Sequence, residues 1–388
     1  MYDASIIADQ PAGRIIVIGG GASGLSCAWR LAGAGLKVIL IEAGEPGGGA
    51  LHASGGMLAA GFESAVELQP DHPLASAFVR FAEAASDLWP GWAERLQAES
   101  GRALGYERRG SIIPIFTAEE SERAAAAMER ARALGIETSR YDAAALHEAE
   151  PSLARALGAI AFPRDGQVDN RALGLALTEA ARGRGVDIIT GRTVTGLLRS
   201  TGRVTGVTLD LGDPLGAEAV ILASGTGVIP GAPPVMAMEP VKGQMIAFAA
   251  ARPVAPAHVL RGFSIYLAAK PGTRLAAGAA CETGVDDPGT DDEAIARLTA
   301  AARAAIPGLA ATPVMERWAG LRPRTADSMP VIGEVEPGLL AAGGGYRNGV
   351  LLAPAIAEAL AAYLGVGEDW PSAAPFSPHR PGLTAAER

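Results

Sequence analysis

The chain has 388 residues, 49% of them hydrophobic and 19% charged, with a formal net charge of -9. That length holds one large or two medium domains with substantial cores. The negative balance and an aromatic content of only 5% give no basic face with stacking platforms, which excludes a nucleic-acid groove and points to a small-molecule partner. The two cysteines, Cys27 and Cys281, lie far apart, and the five histidines show no metal-ligand spacing. A disulfide framework and a zinc site are excluded, and a reducing cytoplasm is the expected compartment.

Residues 1–13 lack a basic segment followed by a long apolar core, so they read as a loose leader rather than a signal peptide. RIIVIG (14–19) is a short apolar run ending in glycine, ASGLSCAWRLAGAG has helical spacing, and KVILIE (37–42) is a second buried run. Strand, glycine turn, helix and strand make a βαβ unit, which implies a parallel sheet. The turn places Gly19, Gly21 and Gly24 in GxGxxG spacing. The first glycine permits the tight turn, the second lets backbone approach a pyrophosphate, and the third lets helix and strand pack closely. Ala22 and Ser23 open the helix, whose free amides would face the diphosphate. Glu42 ends the second strand where a carboxylate can take ribose hydroxyls, with Ala43 beside it.

Residues 44–62, GEPGGGALHASGGMLAAGF, are too glycine-rich for a regular element and read as a functional loop. His52, Ser54, Gly55, Gly56 and Met57 are its candidate cofactor contacts, although His52 also reads as an ordinary loop histidine and Met57 as packing. The pattern over 73–99 is helical and broken near Pro90, and 106–117 returns to strand. Helices follow at about 118–134 and 142–149, with an amphipathic one over 170–185. The short strands after it include Val194, another cofactor candidate, and end in ASGTG (223–227), a second glycine turn with Ser224 and Gly225.

From 240 to 282 the chain is strand-like, a helix covers about 290–305, and residues 339–365 repeat strand, glycine turn and helix. The apolar stretch 349–367 contains Pro354 and Glu358. A central acidic residue costs about 2.5–3.5 kcal/mol in lipid, so a buried helix is expected and no membrane span. A long ligand lying across the sheet could meet the first and last glycine turns together. Its far ring would then lie at the last helix N-terminus, where the dipole favours negative charge. Gly345, Tyr346, Arg347, Asn348 and Gly349 are the contacts expected there, which favours FAD over NAD.

The expected fold is α/β, a Rossmann-like FAD-binding domain interleaved with a sheet-based domain built from the insertions, which the family resemblance below implies is a mainly antiparallel β-sheet substrate domain. The FAD domain is assigned 14–75, 155–235 and 312–366, the substrate domain 76–154 and 236–311, and residues 1–13 and 367–388 are expected to be loose.

GGGASGLSCAWRLA, GEPGGGALHASGGML, PVKGQ, WAGLRPRT and YRNGVLLAP, in that order, resemble the FAD-dependent amine and amino-acid oxidases of the D-amino-acid oxidase superfamily, with glycine oxidases of thiamine biosynthesis the most similar branch. The resemblance spans about 14–365. It implies that Arg322 of GLRPRT binds a substrate carboxylate, that the Tyr266 hydroxyl supports it, and that Met57 and Arg347 lie near substrate and flavin. Where the family segment usually reads like YLVPR, this chain has Tyr266, Leu267, Ala268, Ala269 and Lys270. Cys281 stands where relatives often carry Val or Met, and no cysteine near GLRPRT is available to tether a flavin, which implies noncovalent FAD. Related enzymes are often tetramers, so a homo-oligomer is an expectation.

The implied chemistry is transfer of a Cα hydrogen as hydride from a neutral amine to flavin N5, with molecular oxygen reoxidising the flavin and giving peroxide. Positioning supplies most of the catalysis, and no protein general base is required. A planar guanidinium matches a carboxylate bidentately, which suits Arg322. Arg324 is expected to face the opposite way and serve the turn. Two alternatives remain open: a dehydrogenase passing electrons to a quinone or carrier protein, and a flavin-binding subunit of a hetero-oligomer.

Overall fold

The computed structural model describes residues 13–263 and 265–383. Its six-stranded sheet has the order Val331–Glu336, Leu339–Gly343, Ala219–Leu222, Arg14–Ile18, Lys37–Glu42, Asp187–Thr190. All neighbours are parallel except the first pair. Arg14–Ile18 is central, and Ile15, Ile16, Val17 and Ile18 are all buried, as a strand covered on both faces requires. Ile15 and Val17 face a core shared with the helices, while Ile16 and Ile18 face a second core against a three-stranded antiparallel sheet.

The second large sheet has nine strands. Glu239–Ala249 pairs with Val314–Arg324 on one side and Arg274–Gly278 on the other. The sheet then continues through Tyr266–Ala269, Val259–Arg261, Ser111–Ile115, Gly158–Phe162 and Ser139–Asp142. It is antiparallel apart from the junction of Val259–Arg261 with Ser111–Ile115. The α/β architecture with an interleaved, mainly antiparallel sheet is therefore as the sequence implied.

Several boundaries differ from expectation. Ala75–Ser100 is one 26-residue helix that passes through Pro90 without breaking. An interior proline costs roughly 3 kcal/mol; burial of Phe81, Trp89 and Trp92 offsets it, and the Trp89 indole donates to Leu351 O at 3.0 Å. This helix packs on Asn170–Gly183 and Gly349–Tyr363, so it belongs with the nucleotide domain rather than with the 76–154 substrate segment. Gly158–Phe162 and Val314–Arg324 belong to the nine-stranded sheet, although the sequence placed them in the nucleotide segments 155–235 and 312–366.

The stretch 367–388 is not loose over its described part. Phe376 is fully buried, and Arg380 pairs with Asp327 at 2.8 Å while donating to Phe376 O. The turn-rich composition hid a docked segment. The leader, residues 1–12, lies outside the described residues. Inside the glycine-rich loop, Gly49–Ala53 forms a short helix, where no regular element was expected.

Candidate active site

A long cleft lies between the two sheets, lined by both glycine turns, the 48–57 loop and the nine-stranded sheet. Its nucleotide wall is built from backbone. A Cβ on Gly24 would lie 1.9 Å from Gly19 O, so the third glycine is set by close packing of helix on strand. A Cβ on Gly21 would meet nothing within 4 Å, which leaves open space at the position where backbone must approach a ligand.

The Ala22–Gly33 helix has Gly21 as its N-cap, with no side-chain cap and no acidic residue in its first turn. The Gly349–Tyr363 helix likewise has no side-chain cap at Asn348. Two uncapped N-termini therefore aim unsatisfied amides and positive dipole ends at one cleft. Glu42 is fixed at the cleft edge by the amides of Gly20 at 2.6 Å and Gly44 at 2.7 Å.

Most sequence-predicted contacts meet in this cleft. Gly19, Gly21, Ala22, Ser23 and Glu42 line it at one end, Ser54, Gly55, Gly56 and Met57 along its side, and Ser224 and Gly225 beside the second glycine turn. Gly345, Tyr346, Arg347 and Gly349 line it at the last helix, with Tyr266 and Arg322 across from them. Five candidates are not among its lining residues. Gly24 is spent on packing, Ala43 is exposed, and Val194 is buried in the second core of the nucleotide domain. Asn348 closes the turn by donating its amide to Gly345 O at 2.6 Å. His52 is exposed rather than held in the cleft; partial burial, then the charges of Arg171 and Arg274, lower its pKa.

The substrate wall is built from side chains, and its charges decide its use. Arg261, Arg322 and Arg347 all line the cleft. Buried Glu63 accepts from Arg261 at 2.6 Å and from Arg347 at 3.1 Å, and Glu67 meets Arg347 at 3.0 Å. Burial would raise the Glu63 pKa, but Arg347 and Arg261 outweigh it and hold the carboxyl below its usual range. Glu63 in turn raises the pKa of Arg347.

Arg322 has no acidic partner among the described residues. It makes only long contacts, from Nη1 to Ala280 O at 3.3 Å and to Lys242 O at 3.5 Å, and from Nη2 to Ala280 O at 3.4 Å. Three guanidiniums against two carboxylates leave one positive charge, and it resides on Arg322.

Tyr266 donates to Met245 Sδ at 3.0 Å, a weak acceptor, and burial raises its pKa so that it stays a donor. Arg347 thus lines the cleft as expected but is already neutralised. Arg324 does serve the structure, pairing with Glu239 at 2.7 Å, but the reason differs from the expected one. Residues two apart on a strand share a face. Glu239 is the cross-strand partner of Arg324, whereas Arg322 faces Val241, so pairing rather than direction separates the two arginines.

Sequence reasoning missed Glu63, Arg261, Met245 and Gly243, all of which line the cleft. Glu63 stood as a lone acid after the apolar run MLAAGF, and Arg261 as a lone charge in HVLRG; charges in apolar frames were the available signal. Lys270, read as a departure, is buried away from the cleft lining and donates to Gln167 Oε1 at 3.0 Å and Val168 O at 2.9 Å.

A parallel nucleotide sheet whose cleft is roofed by a charged antiparallel sheet defines a two-domain dinucleotide-dependent protein. The chain belongs to the DAO family of FAD-dependent oxidoreductases, whose model matches residues 14–363. It is 31% identical to the glycine oxidase of Geobacillus kaustophilus (strain HTA426) over 88% of this chain and 89% of that one. The crystal structure of glycine oxidase from Geobacillus kaustophilus superposes with a TM-score of 0.85 at 29% identity, covering 97% of this chain and 100% of that one. The chain is 32% identical to the bifunctional protein ThiO/ThiG of Trichormus variabilis (strain ATCC 29413 / PCC 7937) over 90% of its own length, but spans only 52% of that relative. No helix among the described residues is long and apolar enough to cross a membrane.

The cleft fits FAD. The Gly19–Gly24 turn with the amides of Ala22 and Ser23 would hold the diphosphate, Glu42 the ribose, and the Gly345–Gly349 turn the ring.

Proposed function

We propose that the protein oxidises glycine or another small amine bearing one carboxylate, to the imine and then the 2-oxo acid and ammonia. The observation that carries this reading is the uncompensated guanidinium of Arg322, beside a protonated Tyr266, in a cleft whose other arginines are neutralised. FAD, when bound, supplies the hydride acceptor. Arg322 binds the substrate carboxylate bidentately, and the Tyr266 hydroxyl can turn from Met245 to donate a further hydrogen bond. Arg347, clamped by Glu63 and Glu67, closes the cleft without competing for the carboxylate. Holding the Cα in a fixed pose provides the rate advantage, with no protein base required.

Molecular oxygen as the electron acceptor and a cytoplasmic setting are part of this proposal; the unpaired Cys27 and Cys281 fit a reducing compartment. Similarity to glycine oxidases and to a ThiO/ThiG protein supports a role in supplying the glycine-derived imine for thiazole formation.

Anaerobic bleaching of the purified holoprotein with glycine, sarcosine and D-amino acids, followed by peroxide detection on admitting oxygen, tests the proposal. Glycine or a close analogue should bleach the flavin and release peroxide. Bleaching without peroxide, with turnover only when a dye is added, would show a dehydrogenase. No bleaching by any of these amines would overturn the substrate assignment.

A further inference from the structure

Gly243 has no backbone reason to be glycine. It lies inside the Glu239–Ala249 strand, and its φ is outside the left-handed region. Glycine in a strand interior weakens the strand, and it often marks close approach of another group. Here that group is the Arg322 guanidinium. A Cβ on Gly243 would lie 2.3 Å from Nη2, 2.5 Å from Cζ and 2.6 Å from Nη1. Similar overlaps with all three atoms mean that the guanidinium lies flat over the Gly243 backbone. The carbonyls of Lys242 and Ala280 hold it there.

We propose that Gly243 is a positioning residue for the carboxylate clamp: its bare backbone is the seat on which Arg322 rests so that its remaining donors face a small monocarboxylate amine in the cleft. This rests on the reading of Arg322 as the clamp. The overlapping atoms are the far end of a flexible side chain, so an added methyl group is relieved by swinging the arginine rather than by moving the sheet. The cost falls on substrate binding more than on folding, the reverse of the pattern for a glycine conserving strand geometry.

The test uses the holoenzyme with Gly243→Ala, Arg322→Ala and the double variant, assayed with glycine. Gly243→Ala should keep wild-type FAD content and melting temperature, raise KM about tenfold and change kcat less. Glycine ethyl ester, which lacks the carboxylate, should show no such rise in KM. In the Arg322→Ala background, Gly243→Ala should have no further effect on kcat/KM, because the group it displaces is gone.

If Arg322→Ala raises KM but Gly243→Ala does not, or if the two effects multiply, the seat is overturned while the clamp stands. If Arg322→Ala leaves the glycine KM unchanged, the clamp reading itself fails and the seat with it. Should Gly243→Ala alone give no folded holoenzyme, recovery of FAD-bound protein in the double variant supports the seat. Failure of both to fold assigns the requirement to the sheet and overturns it.

Discussion

The two walls of the cleft solve recognition with different materials. The nucleotide wall is backbone: glycines, free amides and helix ends contributed by short continuous segments. The substrate wall is side chain: Glu63, the cross-strand pair Arg261 and Tyr266, Arg322 and Arg347 come from four separate stretches and meet only on folding. A backbone wall is intolerant of added atoms but has little charge to balance. A side-chain wall tolerates shape change and depends on its charges being counted correctly.

This contrast can be broken from the nucleotide side first. Gly24→Val would drive side-chain atoms into Gly19 O, where even a Cβ lies at 1.9 Å, and neither backbone segment can yield. Loss of bound flavin from the purified protein is the expected result, read by absorbance; wild-type FAD content would show that the turn is not packing-limited.

On the substrate side, Glu63→Ala leaves Arg261 and Arg347 without their shared partner. Removing one member of a buried ion pair costs about 3–5 kcal/mol, so denaturant unfolding should shift by that amount. A shift under 1 kcal/mol would mean that water compensates. On the proposed role of Tyr266, Tyr266→Phe removes one hydrogen bond to the substrate carboxylate, worth about 1.5–3 kcal/mol for a charged acceptor. The glycine KM should rise about tenfold or more, with FAD content unchanged.

A pH-dependent effect lies outside both walls. Burial lowers the Lys270 pKa from 10.5 to about 7. Between those values the unfolded chain binds a proton that the folded chain does not, so stability rises as pH increases through that window. Below about 7 both states are protonated, and the cost of burying the charge is fully present. The slope is at most about 1.4 kcal/mol per pH unit. It should appear in chemical unfolding between pH 7 and 9 and vanish in Lys270→Met; equal slopes in both proteins would remove Lys270 as the cause.

The same contrast explains what could be read before the structure. The GxGxxG turn, Glu42 and the last glycine turn were legible because each is a local pattern with a local reason. That Arg322 lines the cleft was legible through its motif and resemblance. Glu63 and Arg261 were not, because their meaning lies in a pair 198 residues apart. Arg324 was correctly judged structural from a mistaken direction, since only the cross-strand register reveals Glu239. The helix through Pro90 was misread because tertiary burial outweighed a local breaker. Domain limits failed because Gly158–Phe162 and Val314–Arg324 look like any other strands until their partners are known.

The first helix packs against the last helix, Gly349–Tyr363, and both ends of the cleft are made by these distant segments. A chain emerging from the ribosome therefore carries its first glycine turn without the element that completes the cleft until Gly349–Tyr363 has followed it. The complete cleft therefore cannot form around the first βαβ unit alone; it requires the Gly349–Tyr363 helix to dock on it.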